Sequence, residues 1–391
     1  MLPLFPSPWL SEEHQLLADA AARFYADRWV PHQAEWREAG LMPRSTWRDA
    51  GAQGFLCAAM PEEYGGGGGD IGHEVVLALE QAKANISGFG GGLHSVIVAP
   101  YILHHGTEAQ KQRWLPRMAS GELIGAIAMT EPGAGSDLQG VKTHARRDGD
   151  HYVLSGSKTF ITNGQNANLI VVVCKTDPTQ GAKGVSLLVV EVEDAEGRPL
   201  PGFTRGRNLH KIGMHAQDTS ELFFDELRVP VDHLLGGKEG REGQGFFQLM
   251  QELPQERLLI AVQAVGGMER GLQEALNYTK ERKAFGKSVW EFQNTRFTLA
   301  DAQAQLIAAR ATVDAAIGAH MKGELDAARA ALLKAWTTDL ACKLLDDCLQ
   351  MHGGYGYMLE YPIAELWADA RVARIYGGTN EIMKELASRS M

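Results

Sequence analysis

The sequence predicts a multidomain α+β protein in which one β domain separates two helical ones. Three observations carry that prediction. Apolar residues recur at helical spacing up to about residue 123, β-branched runs divided by Xaa-Gly turns follow to about residue 238, and long helical blocks fill the rest. The expected units are an N-terminal all-α domain over 1–123, a middle β domain over 124–238 and a C-terminal helical bundle over 239–391. A chain of 391 residues is long enough to bury more than one core, and a single one is not expected.

The first helix is expected to begin after Ser11, a side chain suited to capping, with Glu12 and Glu13 next and Leu16, Leu17, Ala20, Phe24 and Trp29 at helical spacing. The run Gly65 to Gly69, closed by Asp70, reads as a flexible loop, and residues 74–81 resume a helical pattern. After Gly121 the texture changes. Tyr152-Val153-Leu154 and the runs 169–173 and 185–192 read as strands divided by Asp-Gly, Asn-Gly, Lys-Gly and Glu-Gly turns. From Gly243 onward, residues 258–283, 293–321 and 325–351 each hold helical periodicity over several turns, and blocks of that length pair into bundles.

Composition excludes several classes. Apolar residues at 45% and charged residues at 22% argue against disorder. A formal charge of −10 without any long Lys/Arg run argues against a nucleic-acid partner, so an anionic ligand has to be met by local positive groups. Cys57, Cys174, Cys342 and Cys348 are scattered without a CxxC pair, which implies neither a zinc site nor a disulfide framework, and no metal is expected. Met1 to Pro8 lacks a basic leader and a small-residue cleavage site, and no run of about 18 apolar residues occurs. A soluble, cytoplasmic protein with no membrane partner is expected.

The most informative stretch is Met129-Thr130-Glu131-Pro132-Gly133-Ala134-Gly135-Ser136-Asp137, followed about one hairpin later by Phe160-Ile161-Thr162-Asn163-Gly164. Gly133 and Gly135 allow a tight turn that presents backbone N–H groups, Thr130, Ser136 and Thr162 add short hydroxyl donors, and Phe160 supplies an aromatic wall. Either segment alone is read more simply as a Pro-Gly or Asn-Gly turn in β structure. Together and in this order they suit a flat, phosphate-bearing cofactor.

With these two segments the chain resembles the acyl-CoA dehydrogenase family of flavoproteins, from about Leu10 to the C-terminus. Four further motifs stand in the family's order: Arg282-Lys283-Ala284-Phe285-Gly286, Gln350-Met351-His352-Gly353-Gly354, Tyr376-Gly377-Gly378-Thr379-Asn380-Glu381 and Leu253-Pro254-Gln255-Glu256-Arg257. In the last two the chain is most similar to the long-chain branch. The resemblance implies an antiparallel β-barrel-like middle domain and a C-terminal four-helix bundle. It also implies FAD as cofactor, an acyl-CoA substrate and an electron-transferring flavoprotein as electron acceptor.

The same resemblance assigns residues. Ile127, Met129 and Thr130 would approach the flavin ring, Ser136 the flavin phosphates and the substrate, and Phe160, Ile161 and Thr162 would pack along the ring. Thr379, Asn380 and Glu381 would return to the flavin of the same subunit. Arg282, Phe285, Gln293, Gln350, Gly353 and Gly354 match the part of the adenosine and pyrophosphate site that a neighbouring subunit contributes, which implies an oligomer, typically a homotetramer. Arg282 suits a pyrophosphate because its guanidinium forks two oxygens, although by itself it also reads as a solvated member of the basic cluster 280–283. Phe247, the Pro254 to Arg257 stretch read as a turn, with Pro254, Gln255 and Arg257, and Tyr376, Gly377 and Gly378 match substrate contacts.

Removing the α-proton of a saturated thioester needs a base, and no side chain accepts the β-hydride, so a flavin must. Short- and medium-chain members carry that base as a glutamate after the Tyr of the Tyr-x-Gly-Thr motif, where this chain has Gly377. Long-chain members place it on a C-terminal helix, which makes Glu256 the expected base; Glu131 and Glu381 rank below it. On sequence alone Glu256 reads more simply as a helix-surface glutamate near Arg257 or Glu252, and the resemblance reverses that weighting. Enclosure beside an acyl chain is expected to raise its pKa toward the working pH. The Gly377 N–H is expected to hydrogen-bond the thioester oxygen.

The segment Ser87 to Gly92 falls where the family's acyl tunnel ends. Its glycines permit either a deep pocket or close helix packing, and Phe89 stands where long-chain relatives have proline, which leaves branched acyl chains open. The expected reaction is dehydrogenation of an acyl-CoA to its trans-2-enoyl-CoA in fatty-acid or branched-acyl oxidation. An oxygen-using acyl-CoA oxidase is disfavoured because the chain stops at Met391, where oxidases carry a further domain. A catalytically silent acyl-CoA- or flavin-binding subunit is suggested only by Gly377, and a decarboxylating glutaryl-type enzyme would keep a glutamate there.

Overall fold

The computed structural model describes residues 1–237 and 242–391; the expected division between middle and C-terminal units, at 238/239, lies outside the described residues. The N-terminal third is helical: α1 (Glu12–Phe24), α2 (Gln33–Ala39), α3 (Ser45–Ala52), α4 (Ile71–Lys83), α5 (Ala99–His105) and α6 (Glu108–Ala119). Ser11 caps α1 by accepting the His14 N–H, and the His14 ring answers by accepting the Ser11 backbone N–H at 3.1 Å. The helix runs on through one π turn to Trp29, burying His14, Ala18, Ala21, Tyr25 and Trp29. Leu16, expected on that face, is 64% exposed. The stripe follows the register in which His14 reaches Asp70, the cap of α4, at 2.8 Å, so a polar anchor and small alanines take the place of leucines.

The glycine run at 65–69 is not the loose loop expected. The N–H groups of Gly66, Gly67, Gly68 and Gly69 donate to the carbonyls of Pro61, Cys57, Met60 and Ala58. The chain folds back so closely that a Cβ on Gly66 would stand 2.2 Å from the Met60 oxygen. Composition suggested freedom, whereas the small residues serve close backbone approach. The glycines at 87–92 act alike: a Cβ on Gly90 would stand 2.1 Å from Asn163 Oδ1 in the middle domain. Phe89 turns inward, its ring 4.6 Å from Trp29 and 4.7 Å from Trp47.

The middle domain is one curled seven-stranded sheet: β1 (Gly125–Ala128), β2 (His144–Asp148), β3 (His151–Thr162), β4 (Leu169–Lys175), β5 (Val185–Glu191), β6 (Phe203–Asn208) and β7 (Thr219–Pro230). Neighbours run β1-β4-β2-β3-β7-β6, with β5 on the other side of β4. Most ladders are antiparallel, but β1 pairs in parallel with β4, and so does β2 at His144 and Lys175. Turn signals report only strands joined by hairpins, so these non-local pairings left no mark in the sequence. Every residue from Leu169 to Cys174 is buried, because the two faces of β4 lie in different cores. Leu169, Val171 and Val173 meet Trp114, Leu115 and Met118 of α6, while Ile170, Val172 and Cys174 face the interior of the sheet.

The C-terminal third holds α7 (Gly245–Glu281), a small hairpin of β8 (Lys283–Ala284) and β9 (Lys287–Ser288), α8 (Gln293–Met321), α9 (Ala327–Gln350), α10 (Pro362–Ala370) and α11 (Asn380–Ser388). Leu258, Val262, Val265 and Leu272 of α7 pack with Leu299 and Leu306 of α8 and Leu344 and Leu345 of α9. Val75 and Leu79 of α4 join the same core. Helix α7 begins thirteen residues before the block read from periodicity, and the stretch Pro254 to Arg257, expected as a turn, is helix. Proline removes one i→i−4 bond and crowds the preceding turn, yet Gln248, Leu249 and Glu252 are buried before it and Glu256 to Val262 after it, and that burial holds the helix through.

Replacing Gly66 by alanine is expected to destabilise the fold by about 1–3 kcal/mol, since a backbone oxygen has to move. A lowered urea midpoint with unchanged slope is the measurement; Gly54→Ala would not serve as well, because its φ of +71° is itself strained for alanine.

Candidate functional site

Strand β3 bulges between Lys158 and Ile161, and there Phe160 takes φ +59° with its ring 68% exposed. A bulky residue in the left-handed region holds strain that a plain strand does not need, and bulges re-aim side chains beside functional sites. The 129–137 turn is stitched to this bulge. The Thr159 N–H donates to the Thr130 carbonyl at 3.0 Å, the Thr130 hydroxyl donates to the Thr159 carbonyl, and the Lys158 ammonium donates to the Met129 carbonyl at 2.9 Å. Lys158 is fully buried and pairs with Glu131 at 2.9 Å, which also accepts the N–H groups of Lys142 and Thr143. Burial works against the Glu131 carboxylate, but these donors prevail and hold its pKa below the usual range. Its role is structural.

The two segments singled out in the sequence thus form one surface. Glu131 and Ala134 exchange two backbone hydrogen bonds across the turn, and a Cβ on Gly133 or Gly135 would meet nothing within 4 Å. Neither glycine takes a positive φ, so the turn itself does not require them; they keep the space in front of it clear. Ile127, Met129, Thr130 and Thr162 are half-buried and Ser136 is exposed, whereas the Ile161 side chain, expected along a flavin, is buried in the sheet. An open face bounded by an exposed aromatic ring and hydroxyl donors fits a planar cofactor.

Helix α5 presents Tyr101, His104 and His105 on one face, at i, i+3 and i+4, toward Glu252 and Glu256, one turn apart on α7. The Tyr101 hydroxyl donates to Glu256 Oε1 at 2.9 Å. His105 Nε2 lies 2.8 Å and His104 Nδ1 3.0 Å from Glu252. Both carboxylates are 5% exposed, yet their pKa values part. Burial opposes the charge on Glu252, but the two histidines outweigh it and bring it down to about 2. Burial dominates at Glu256, the Tyr101 hydroxyl and the Arg257 charge offset only part of it, the Glu252 charge adds to it, and the pKa stands at about 7. Arg257 is 4% exposed, and its Nε has no partner among the described residues.

The segment lacking a glutamate lies against the same helix. Gly377 has φ +66°, and a Cβ there would stand 2.4 Å from Cδ1 of Ile260, one turn beyond Glu256. Thr379 caps α11, and Glu381 is exposed on its first turn. Asn380, expected to touch the cofactor, is 1% exposed, with its amide given to Ala335, Thr338 and Asp339 and its oxygen bonded by Lys334. Every polar atom of that side chain is met inside the chain, so it supports the turn from behind. Gln255 likewise bonds the Val96 carbonyl and the His320 ring. Phe247 and Tyr376 are exposed, Gly378 and Pro254 half-buried.

The remaining expected residues lie elsewhere. Glu281, the last residue of α7, is about 38 Å from Glu256 along the axis at a rise of about 1.5 Å per residue. Arg282 follows it, its guanidinium 5.7 Å from the Tyr355 ring, which brings the 350–357 segment with Gln350, Gly353 and Gly354 to the same end. Phe285 and Gly286, both at positive φ, form the two-residue tip of the β8–β9 hairpin, with Phe285 95% exposed and Gln293 exposed beyond it. Sequence reasoning missed Tyr101, His104, His105, Lys158 and Lys334. Only the Tyr-x-x-His-His spacing of the first three offered a signal.

A helical domain, a curled sheet and a helical bundle meeting around a buried carboxylate and an open aromatic-walled turn define a cofactor-dependent enzyme. Comparison with known proteins makes this specific. The acyl-CoA dehydrogenase N-terminal, middle and C-terminal domain patterns match residues 11–122, 126–227 and 243–391. The chain is 47% identical over 383 residues to the mitochondrial long-chain specific acyl-CoA dehydrogenase of Sus scrofa, covering 97% of this chain and 87% of that protein. It superposes with a TM-score of 0.94 on the acyl-CoA dehydrogenase from Geobacillus kaustophilus, at 47% identity over 98% of this chain and 99% of the other. The corresponding figures for a glutaryl-CoA dehydrogenase from Mycobacterium smegmatis in complex with FADH2 are 0.89, 26%, 97% and 95%. The chain belongs to the acyl-CoA dehydrogenase family, a family of flavin-dependent oxidoreductases, and within it resembles the long-chain branch.

The Glu256 carboxyl is expected to titrate near pH 7, seen as an infrared band of the protonated acid that E256Q lacks. Tyr101→Phe removes a donor that favours the charged form, so the midpoint should move upward. A carboxylate already ionised at pH 5 would contradict the assignment.

Proposed function

We propose that this protein oxidises an acyl-CoA thioester to the trans-2-enoyl-CoA, with FAD lying along the 129–136 turn and Phe160, and with Glu256 as the base that takes the α-proton. The observation that carries the reading is the joint geometry of Glu256, Ile260 and Gly377. The space a side chain at 377 would need is taken by α7, and α7 itself offers a buried carboxylate one turn away, with a pKa of about 7. A base of that pKa is half ionised at neutral pH and strong enough to share a proton with an activated α-carbon. A silent binding subunit has no use for it.

The residues at the open turn fit the flavin through the space before Gly133 and Gly135, the exposed Phe160 ring and the hydroxyls of Ser136 and Thr162, while the Thr130 hydroxyl, given to the Thr159 carbonyl, fixes the turn behind them. When bound, the flavin supplies the hydride acceptor that no side chain provides. The Gly377 N–H donates to the thioester oxygen and stabilises the enolate charge, while Tyr101 orients Glu256 and the buried Arg257 adds positive charge nearby. Phe247 and Tyr376, exposed in the free chain, are covered by substrate. An electron-transferring flavoprotein then reoxidises the cofactor.

Arg282, Phe285, Gln293, Gln350, Gly353 and Gly354 serve a second subunit's flavin. Some 38 Å of helix separates them from Glu256, more than one dinucleotide spans, and the Phe285 ring, edge-on to Phe292 at 6.1 Å, is left 95% exposed at its hairpin tip. A homotetramer built of such exchanges accounts for both, with each chain dividing into units near residues 123 and 238. No helix among the described residues is long and apolar enough to cross a membrane, and the four cysteines are free, which suits the cytoplasm.

E256Q should retain the yellow flavin colour yet lose at least about 10³-fold in bleaching rate by acyl-CoA under anaerobic stopped flow. For the unaltered enzyme, kcat/KM should fall as pH drops through about 7, because the base is then protonated. Gly133→Val should leave the melting temperature of the flavin-free chain unchanged while weakening flavin retention, read from visible absorbance.

A further inference from the structure

Lys334 on α9 has no exposure, and among the described residues no carboxylate pairs with it within 4 Å. An ammonium taken out of water costs several kcal/mol unless hydrogen bonds replace the hydration, and a methionine would fill the same volume without that cost. Both replacement bonds go to one segment: the Gly378 carbonyl at 2.7 Å and Asn380 Oδ1 at 3.0 Å. The segment needs holding. Gly377 and Gly378 are consecutive glycines at φ +66° and +93°, the least restrained backbone available, with Ile260 of α7 beside Gly377 and Met383 of α11 beside Gly378.

We propose that Lys334 is a positioning residue of the thioester-carbonyl site, its ammonium fixing the Gly378 carbonyl and Asn380 so that the Gly377 N–H stays aimed at the substrate oxygen. This rests on the functional reading above. Asn380 completes the clamp, because it is itself locked to Ala335, Thr338 and Asp339. The charge contributes as well as the bonds. Burial, with the Arg257 charge, brings the Lys334 pKa down to about 8, although Asp339 and Glu381 work the other way. Lys334 therefore sets a buried cation behind the turn where the enolate oxygen gathers negative charge.

The test is Lys334→Met in the flavin-loaded full chain, compared with the unaltered enzyme for melting temperature, flavin content, kcat and KM. A further readout is the acidity of a bound acyl-CoA analogue with sulfur at the third chain position. Its enolate is seen by the long-wavelength charge-transfer absorption it forms with oxidised flavin. Flavin content should hold and KM stay within about three-fold, while kcat falls about ten- to hundred-fold and the analogue's acid dissociation constant drops about ten-fold. A variant that ionises the analogue like the unaltered enzyme overturns the proposal, even if its melting temperature has fallen. Should the methionine variant not fold, Lys334→Gln carries the same comparison. An unaltered enzyme that ionises no analogue and is bleached by no acyl-CoA overturns the functional reading itself, and this inference with it.

Discussion

A carboxylate at 5% exposure has lost nearly all its hydration, and the organisation of this molecule around Glu256 follows from how little is returned to it. One hydroxyl, from Tyr101, and one neighbouring guanidinium, from Arg257, replace the water. Glu252, one turn earlier and equally buried, receives two imidazoles and is left firmly ionised. Two glutamates on one helix face are thus driven to opposite ends of the carboxylate range by what α5 sets against each. That contrast requires α5 and α7 to keep their register, and the cores that join α4, α6, β4 and the bundle are what keep it.

A side chain at 377 would need space beside α7. Ile260 closes it here, lying where a side chain at 377 would begin, so the glycine is a packing requirement as much as a missing glutamate. The same glycines cost the turn its stiffness, and the buried contacts from Lys334 and Asn380 restore it from behind. On the sheet side, rigidity comes from the Lys158–Glu131 pair, which locks the 129–137 turn to the β3 bulge and leaves Phe160 pointing outward. Each half of the site therefore has a buried lysine whose bonds end on backbone carbonyls of the working segment.

The order of helical, β and helical units was legible because periodicity changes sharply near Gly121 and again near Gly243. The two segments that meet at the open turn were singled out as well, since glycine, proline and hydroxyl residues at fixed offsets are local signals. What the reading mistook were places where local composition meets a distant partner. The glycine run at 65–69 looked loose and is bonded to Cys57 to Pro61; Leu16 looked buried and faces water; Pro254 looked like a turn and lies inside a helix. Asn380 and Ile161 were assigned to the cofactor by motif, and their side chains point into the protein.

By itself the sequence determined the class of fold, the family motifs and the candidate base, because each depends on residue identity at short spacing. It also determined that position 377 carries no carboxylate. Only the tertiary structure decided that Glu256 is buried, that its pKa lies near 7, and that Tyr101, His104, His105 and Lys334 surround the working groups. Those partners are separated by as many as 155 residues in the chain, and desolvation has no value until the helices have packed. Periodicity can place a glutamate on a helix, but whether water reaches it depends on what the rest of the chain puts in front of it.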